Sequence, residues 1–104
     1  SGWRNFKIVS IQDHAEGKFF NIRAADQQTI PTAQAGEYIS VKVHVPEKGI
    51  DQPQQFSFSS TQDTAQYSFL VKSQAEHSEY DVANILLSHY QVGDELAVSA
   101  PLKG

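Results

Sequence analysis

Cysteine is absent from the chain. That absence excludes disulfides, thiolate metal sites, iron–sulfur centres and a thiol nucleophile, so the fold must stand on packing alone. No apolar run approaches the ~18 residues of a membrane-spanning helix, so no membrane partner is expected. No basic, apolar, small-residue segment at the N-terminus reads as a secretory signal, which makes the cytoplasm the expected compartment. Positive charge is sparse: eight Lys and Arg stand against twelve Asp and Glu, a formal net charge of −4. The basic residues are scattered singly, with no stripe to follow a phosphate backbone, so nucleic acid is not an expected partner.

Several chemistries lack their residues. There is no G-x-S-x-G elbow and no glycine-rich phosphate loop. Serines are numerous, but nothing nominates a base and an orienting group to activate one. The acidic residues sit mostly in turns, where solvation explains them, and do not suggest a pair of working carboxylates. The histidines His14, His44, His77 and His89 are far apart and none stands in a metal-ligand spacing, so they read as surface residues and no metal is expected.

What is present is alternation. The chain has 104 residues, 39% hydrophobic and 19% charged, which fits one globular domain over residues 1–104 burying about two-thirds of its unfolded surface. FKIVSIQDH alternates at Phe6 and Ile8 before the phase shifts to Val9 and Ile11, as at a bulge. Asp13, Glu16 and Gly17 mark a turn, and KFFNIRAAD puts Phe20, Ile22 and Ala24 on one face, completing a hairpin. QQTIPTAQAGEY reads as a loop. YISVKVHV is the clearest strand, with Ile39, Val41, Val43 and Val45 facing one way. PEKGIDQP reads as a loop, and QQFSFSS (54–60) as a strand with Phe56 and Phe58 opposite Ser57 and Ser59. QYSFLVK and ELAVSAP add two more strands.

One segment breaks the period of two. In SEYDVANILLSHY, Val82, Ile85, Leu86 and His89 fall at helical spacing, with Ser78 as N-cap and Asp81 as the acidic half of a capping box, predicting a helix of about three turns. His89 falls at the helix end, where a positive charge is favoured. Six short antiparallel strands with a helix between the fifth and sixth predict an all-β fold, a small Greek-key barrel closed or partly closed.

The order Trp3-x-x-Phe6, AGEYISVKV, VPEKG, QPQQFSFSS, YSFLVK, DVANILLSHY and VGDELAVSAP resembles the FAD-binding barrel of the ferredoxin reductase superfamily, most closely the version in flavohemoglobins. The resemblance runs over nearly the whole chain. It implies an FAD-binding domain of an NAD(P)H-dependent oxidoreductase that passes electrons from nicotinamide through FAD to a haem or other acceptor. On that reading the chain is a fragment, its partners being an NAD(P)-binding domain that would follow Gly104 and a haem or other redox domain. NAD(P)H would be engaged only through the domain missing here, and no dinucleotide fingerprint occurs in the chain.

The same resemblance assigns site residues and departs from the family at some of them. Gln54-Gln55-Phe56-Ser57 occupies the position of the family's Arg-x-Tyr-Ser, whose Arg holds the FAD pyrophosphate while the Tyr packs on the isoalloxazine and the Ser bonds near its reactive nitrogen. Gln54 removes the guanidinium, and with it charge-assisted hydrogen bonds of about 1.5–3 kcal/mol each. Phe56 keeps a ring that can stack but no hydroxyl. Tyr80-Asp81-Val82-Ala83 stands where the family has a Gly-x-x-Ser helix start, so Val82 and Ala83 take the place of phosphate contacts, and Asp81 brings negative charge. Tyr38 after Gly36 and Glu37 matches a Tyr that lies along the flavin, and Lys72 matches a Val-Lys strand end as the remaining cation. Two readings stay open: a barrel that holds FAD, weakly, and a barrel that has lost FAD and serves as a structural or docking module.

Overall fold

Twelve residues of continuous strand open the fold: β1 (Trp3–His14) turns back at once as β2 (Gly17–Ala24). In the computed structural model, which describes residues 2–73, 76 and 79–104, the remaining elements are β3 (Tyr38–Val45), β4 (Ile50–Ser57), β5 (Tyr67–Lys72), α1 (Val82–His89) and β6 (Glu95–Ser99). They form a six-stranded sheet in the order β4-β3-β6-β1-β2-β5, every pair antiparallel. Strand β6 slots between β1 and β3, so the chain crosses from the β5 edge to the middle of the sheet by way of α1, giving a Greek-key barrel.

The hairpin explains the shift in the first strand. Its register runs from Phe6↔Ala24 to Ile8↔Ile22 and then slips between Ile8 and Ser10. Val9 is the extra residue of that bulge and is 37% exposed, while Ile11 packs against the core. The expected second apolar phase is therefore only half realised: a bulge re-aims one side chain and lets the next rejoin the face.

The inner faces of the strands make one core. Phe6, Ile8, Phe20, Ile22, Val41, Tyr67, Phe69 and Val98 are all buried, each worth about 1.5–3 kcal/mol relative to exposure. The loop before β3 adds to it, since Ile30 and Ala33 are buried and the Tyr67 hydroxyl donates to the carbonyl of Pro31. Gly36 takes a φ of +88°, a left-handed conformation that glycine adopts without steric cost. Its N–H donates to the carbonyl of Phe58 at 2.9 Å, fastening the loop to the end of β4.

Three expectations are corrected. PEKGIDQP is not all loop, because β4 already begins at Ile50 and pairs along β3 from Val45↔Ile50 to Tyr38↔Ser57. Its first half is a sheet-edge strand, where exposed polar residues and Pro53 are tolerated. QQFSFSS leaves the strand after Ser57, although Phe58 remains buried. The helix is eight residues long, just over two turns, with Asp81 as N-cap and no side-chain cap hydrogen bond; Ser78, the expected cap, and His77 lie outside the described residues. Val82, Ala83, Ile85 and Leu86 form its buried stripe, packed on β3, β4 and β5.

Strands β4 and β5 are the two ends of the sheet. No ladder joins them among the described residues, but the rings of Phe56 and Phe69 meet across the gap with centroids 5.0 Å apart. The sheet thus curls into a barrel with a seam.

Candidate functional site

The seam is where the chain's chemistry collects. A cleft of about 420 Å³ opens there, lined by Gln54, Gln55, Phe56 and Ser57 of β4, Ser59 beyond it, and Ser68, Phe69, Leu70 and Lys72 of β5, with Phe19 and Ala83. That volume falls within the ~300–1,000 Å³ usual for small-molecule sites. It exists because neither edge strand has a hydrogen-bonding partner across the gap, so side chains rather than a ladder fill the space.

Alternation assigns each side chain its place. Phe56 and Phe69 come from the inward faces of β4 and β5 and form an apolar floor, both nearly buried at 6% and 1% exposure. Phe20 backs Phe69 at 6.0 Å between ring centroids. Ser57, Gln55 and Lys72 are exposed at the rim, and Gln54 is half-buried. Phe19 stands opposite Leu70 in the β2–β5 register, so the two form a second apolar wall. The hydroxyl of Ser68 is already committed: it donates to Oδ1 of Asn21, a buried residue whose Nδ2 donates to Ser10 Oγ at 2.8 Å. Ser68 therefore offers the cleft a lone pair rather than a proton.

Six of the residues named from the sequence line this cleft together: Gln54, Gln55, Phe56, Ser57, Lys72 and Ala83. Tyr38 does not line it; it lies half-buried on β3 directly opposite Ser57. Val82 does not either, being 1% exposed and part of the core. Phe19, Ser59, Ser68, Phe69 and Leu70 were missed. Two of these carried a signal, because Ser68 and Leu70 precede Lys72 at a period of two and so share its face.

The residues fit one half of the implied FAD and not the other. An apolar aromatic floor rimmed by hydroxyls and amides suits a planar heteroaromatic ring. The diphosphate has no comparable cradle. Lys72 is the only cation among the described lining residues, and its ammonium already pairs with Glu16 at 3.4 Å. Ala83 offers no hydroxyl and is 1% exposed. Asp81 sits at the helix N-cap, where a carboxylate occupies the position a phosphate would favour.

A larger cleft of about 520 Å³ lies between the β3–β4 turn and α1, lined by His44, Pro46, Glu47, Glu79, Tyr80, Ile85, His89 and Tyr90. Burial pushes the Tyr90 hydroxyl pKa up, against a hydrogen bond with the His44 backbone that lowers it. None of the proposed flavin contacts reaches this cleft, and its two glutamates oppose an anion. The smaller cleft is therefore the better candidate. Among the described residues no group of three or more His, Asp or Glu could hold a metal ion.

No family model matches the chain. In sequence it is 37% identical over 103 residues to the flavohemoprotein of Bordetella pertussis, a match covering 97% of this chain and 26% of that protein. The chain thus spans about a quarter of the length of the curated relatives it matches. In structure it is similar to the flavohem-like FAD/NAD-binding domain of nitric oxide dioxygenase from Vibrio cholerae, with a TM-score of 0.87 and 25% identity over 97% of this chain and 44% of that one. Flavohemoglobin from Malassezia yamatoensis, solved with bound FAD and haem, gives a TM-score of 0.84 at 22% identity, over 100% of this chain and 26% of that one. The fold is the one these barrels share.

Proposed function

We propose that this chain, a barrel of the ferredoxin reductase type similar to the one in flavohemoproteins, is the FAD-binding domain of an NAD(P)H-dependent oxidoreductase delivering electrons to a haem or other acceptor. One observation carries the reading: the seam cleft brings Gln54, Gln55, Phe56 and Ser57 together with Lys72 and Ala83, residues the resemblance had already named. On this reading the chain works in the cytoplasm, beside an NAD(P)-binding domain following Gly104 and a redox domain. Among the described residues no helix is long and apolar enough to cross a membrane.

The residues divide the work of holding the cofactor. Phe56, over Phe69, supports the ring system. Ser57 places a hydroxyl at its edge, with Tyr38 behind it on the neighbouring strand. Gln54, Gln55 and Lys72 face the phosphate end. When bound, the flavin supplies hydride acceptance and electron transfer, and the chain's part is to bind it, orient it and limit its contact with water.

A second reading, a barrel that has lost FAD and serves as a structural or docking module, is favoured by the missing hydroxyl at Ala83 and by the pairing of Lys72 with Glu16. Titration of the 104-residue chain with FAD, followed by flavin fluorescence and visible absorbance, separates the two. The expected result is saturable, weak binding that Gln54→Arg tightens by about tenfold or more, the gain of one charge-assisted hydrogen bond. If neither form binds FAD, the module reading replaces the flavin one.

A further inference from the structure

We infer that the seam cleft recognises a flavin by its ring alone, so that the phosphorylated forms gain less over neutral riboflavin than one charge-assisted hydrogen bond would supply. This inference rests on the flavin reading above and specifies the ligand within it. Its basis is the distribution of polarity in the cleft. The floor is aromatic, with Phe56 and Phe69 in contact and Phe19 and Leu70 as a wall, and ring stacking is indifferent to what hangs from the ring. The rim is neutral, made of the amides of Gln54 and Gln55 and the hydroxyls of Ser57, Ser59 and Ser68.

Charge points the same way. The ammonium of Lys72 is offset by the carboxylate of Glu16 at 3.4 Å. Both side chains are more than half exposed, so the pair is loose and screened by salt, but it leaves no net positive charge at the phosphate end. The helix whose first-turn Ala83 lines the cleft is capped by Asp81, and Ala83 itself is buried. The chain as a whole carries −4. A monophosphate brings roughly −1.5 to −2 of charge near neutral pH, and nothing described in the cleft repays its loss of hydration. A phosphate there is solvated at best and repelled at worst.

The test compares riboflavin, FMN and FAD on the 104-residue chain, whose core its own side chains fill, by fluorescence titration at low and high salt. The expected result is that FMN and FAD bind less than about tenfold more tightly than riboflavin, a gap smaller than one charge-assisted hydrogen bond supplies. Raising the salt should leave FMN affinity unchanged or improve it, since screening relieves repulsion. The inference is overturned if FMN or FAD binds about tenfold or more tightly than riboflavin, or if salt weakens FMN selectively. If none of the three binds, the flavin reading itself fails, which is a different result from a preference for phosphate. In Gln54→Arg a preference for FMN over riboflavin of about tenfold or more should appear; an unchanged ratio would overturn the assignment of the missing cation to the Gln54 end of the cleft.

Discussion

Tyr67 shows how one residue ties a loop to the core. It has 0% of its surface exposed, stacks against Phe6 at 5.5 Å, and donates its hydroxyl proton to the carbonyl of Pro31, fastening β5 to the loop ahead of β3. Burial raises its pKa from 10.0 to about 12, with Arg4 opposing the shift and Glu37 adding to it. The folded value lies above the unfolded one. The stabilisation is therefore complete below pH 10 and is lost as pH rises through about 12. Tyr67→Phe should cost about 1–2 kcal/mol in urea unfolding at neutral pH, because the Pro31 carbonyl is left unpaired. It should also flatten the alkaline loss of stability; a pH profile identical to the parent's would show that a different group titrates. Phe56, Ser57 and Lys72 were named through the resemblance and not through alternation, and all three line the seam cleft. Phe69, which lines the cleft, was given no place in the site, since sequence alternation does not say which core aromatics an open seam uncovers.

Among the elements, β3 and β5 were legible from end to end because one-sided burial imposes apolar alternation on every second residue. The first half of β4 was not, because a sheet-edge strand with exposed side chains needs no apolar residue, and Pro53 mimics a loop signal. The helix start was misjudged for a related reason: Ser78 and Asp81 have cap chemistry, but burial of Val82 and Ala83, not the cap pattern, decides where the turns begin. Gly17 is the element-scale residue that sequence alone undervalues. It opens β2 opposite Lys72, and a methyl added there would stand 2.0 Å from the carbonyl oxygen of Val71 and 2.9 Å from the Cα of Lys72. The atoms it would meet are all backbone of β5, which leaves little room to yield. Gly17→Ala should therefore destabilise by about 3 kcal/mol and lower Tm by roughly 10–15 °C. Because β5 must move aside at Lys72, flavin affinity should fall as well, measured well below the lowered Tm. A variant melting with the parent would show that the end of β5 relaxes without cost.

At the scale of the molecule, the order of strands was beyond the sequence pattern. Alternation says that a strand has a buried face but not which strand it pairs with, and β6 inserting between β1 and β3 is a long-range choice. That topology sets what the chain can do by itself. All described strand pairs are antiparallel, so the described residues contain no βαβ unit of the kind that cradles a dinucleotide. Hydride transfer from a nicotinamide needs the two rings held in contact, and that positioning can be worth about 7–11 kcal/mol of the barrier. The seam cleft, at about 420 Å³, is assigned to the flavin ring alone. We therefore expect the FAD-loaded chain to be bleached by NADH or NADPH no faster than free FAD at the same concentration, in anaerobic stopped-flow absorbance. Fusing an NAD(P)-binding domain after Gly104 should accelerate the bleaching by orders of magnitude. Steady NAD(P)H oxidation by the 104 residues alone would mean that the nicotinamide has a site on the barrel itself, with the larger cleft beside α1 the first place to mutate.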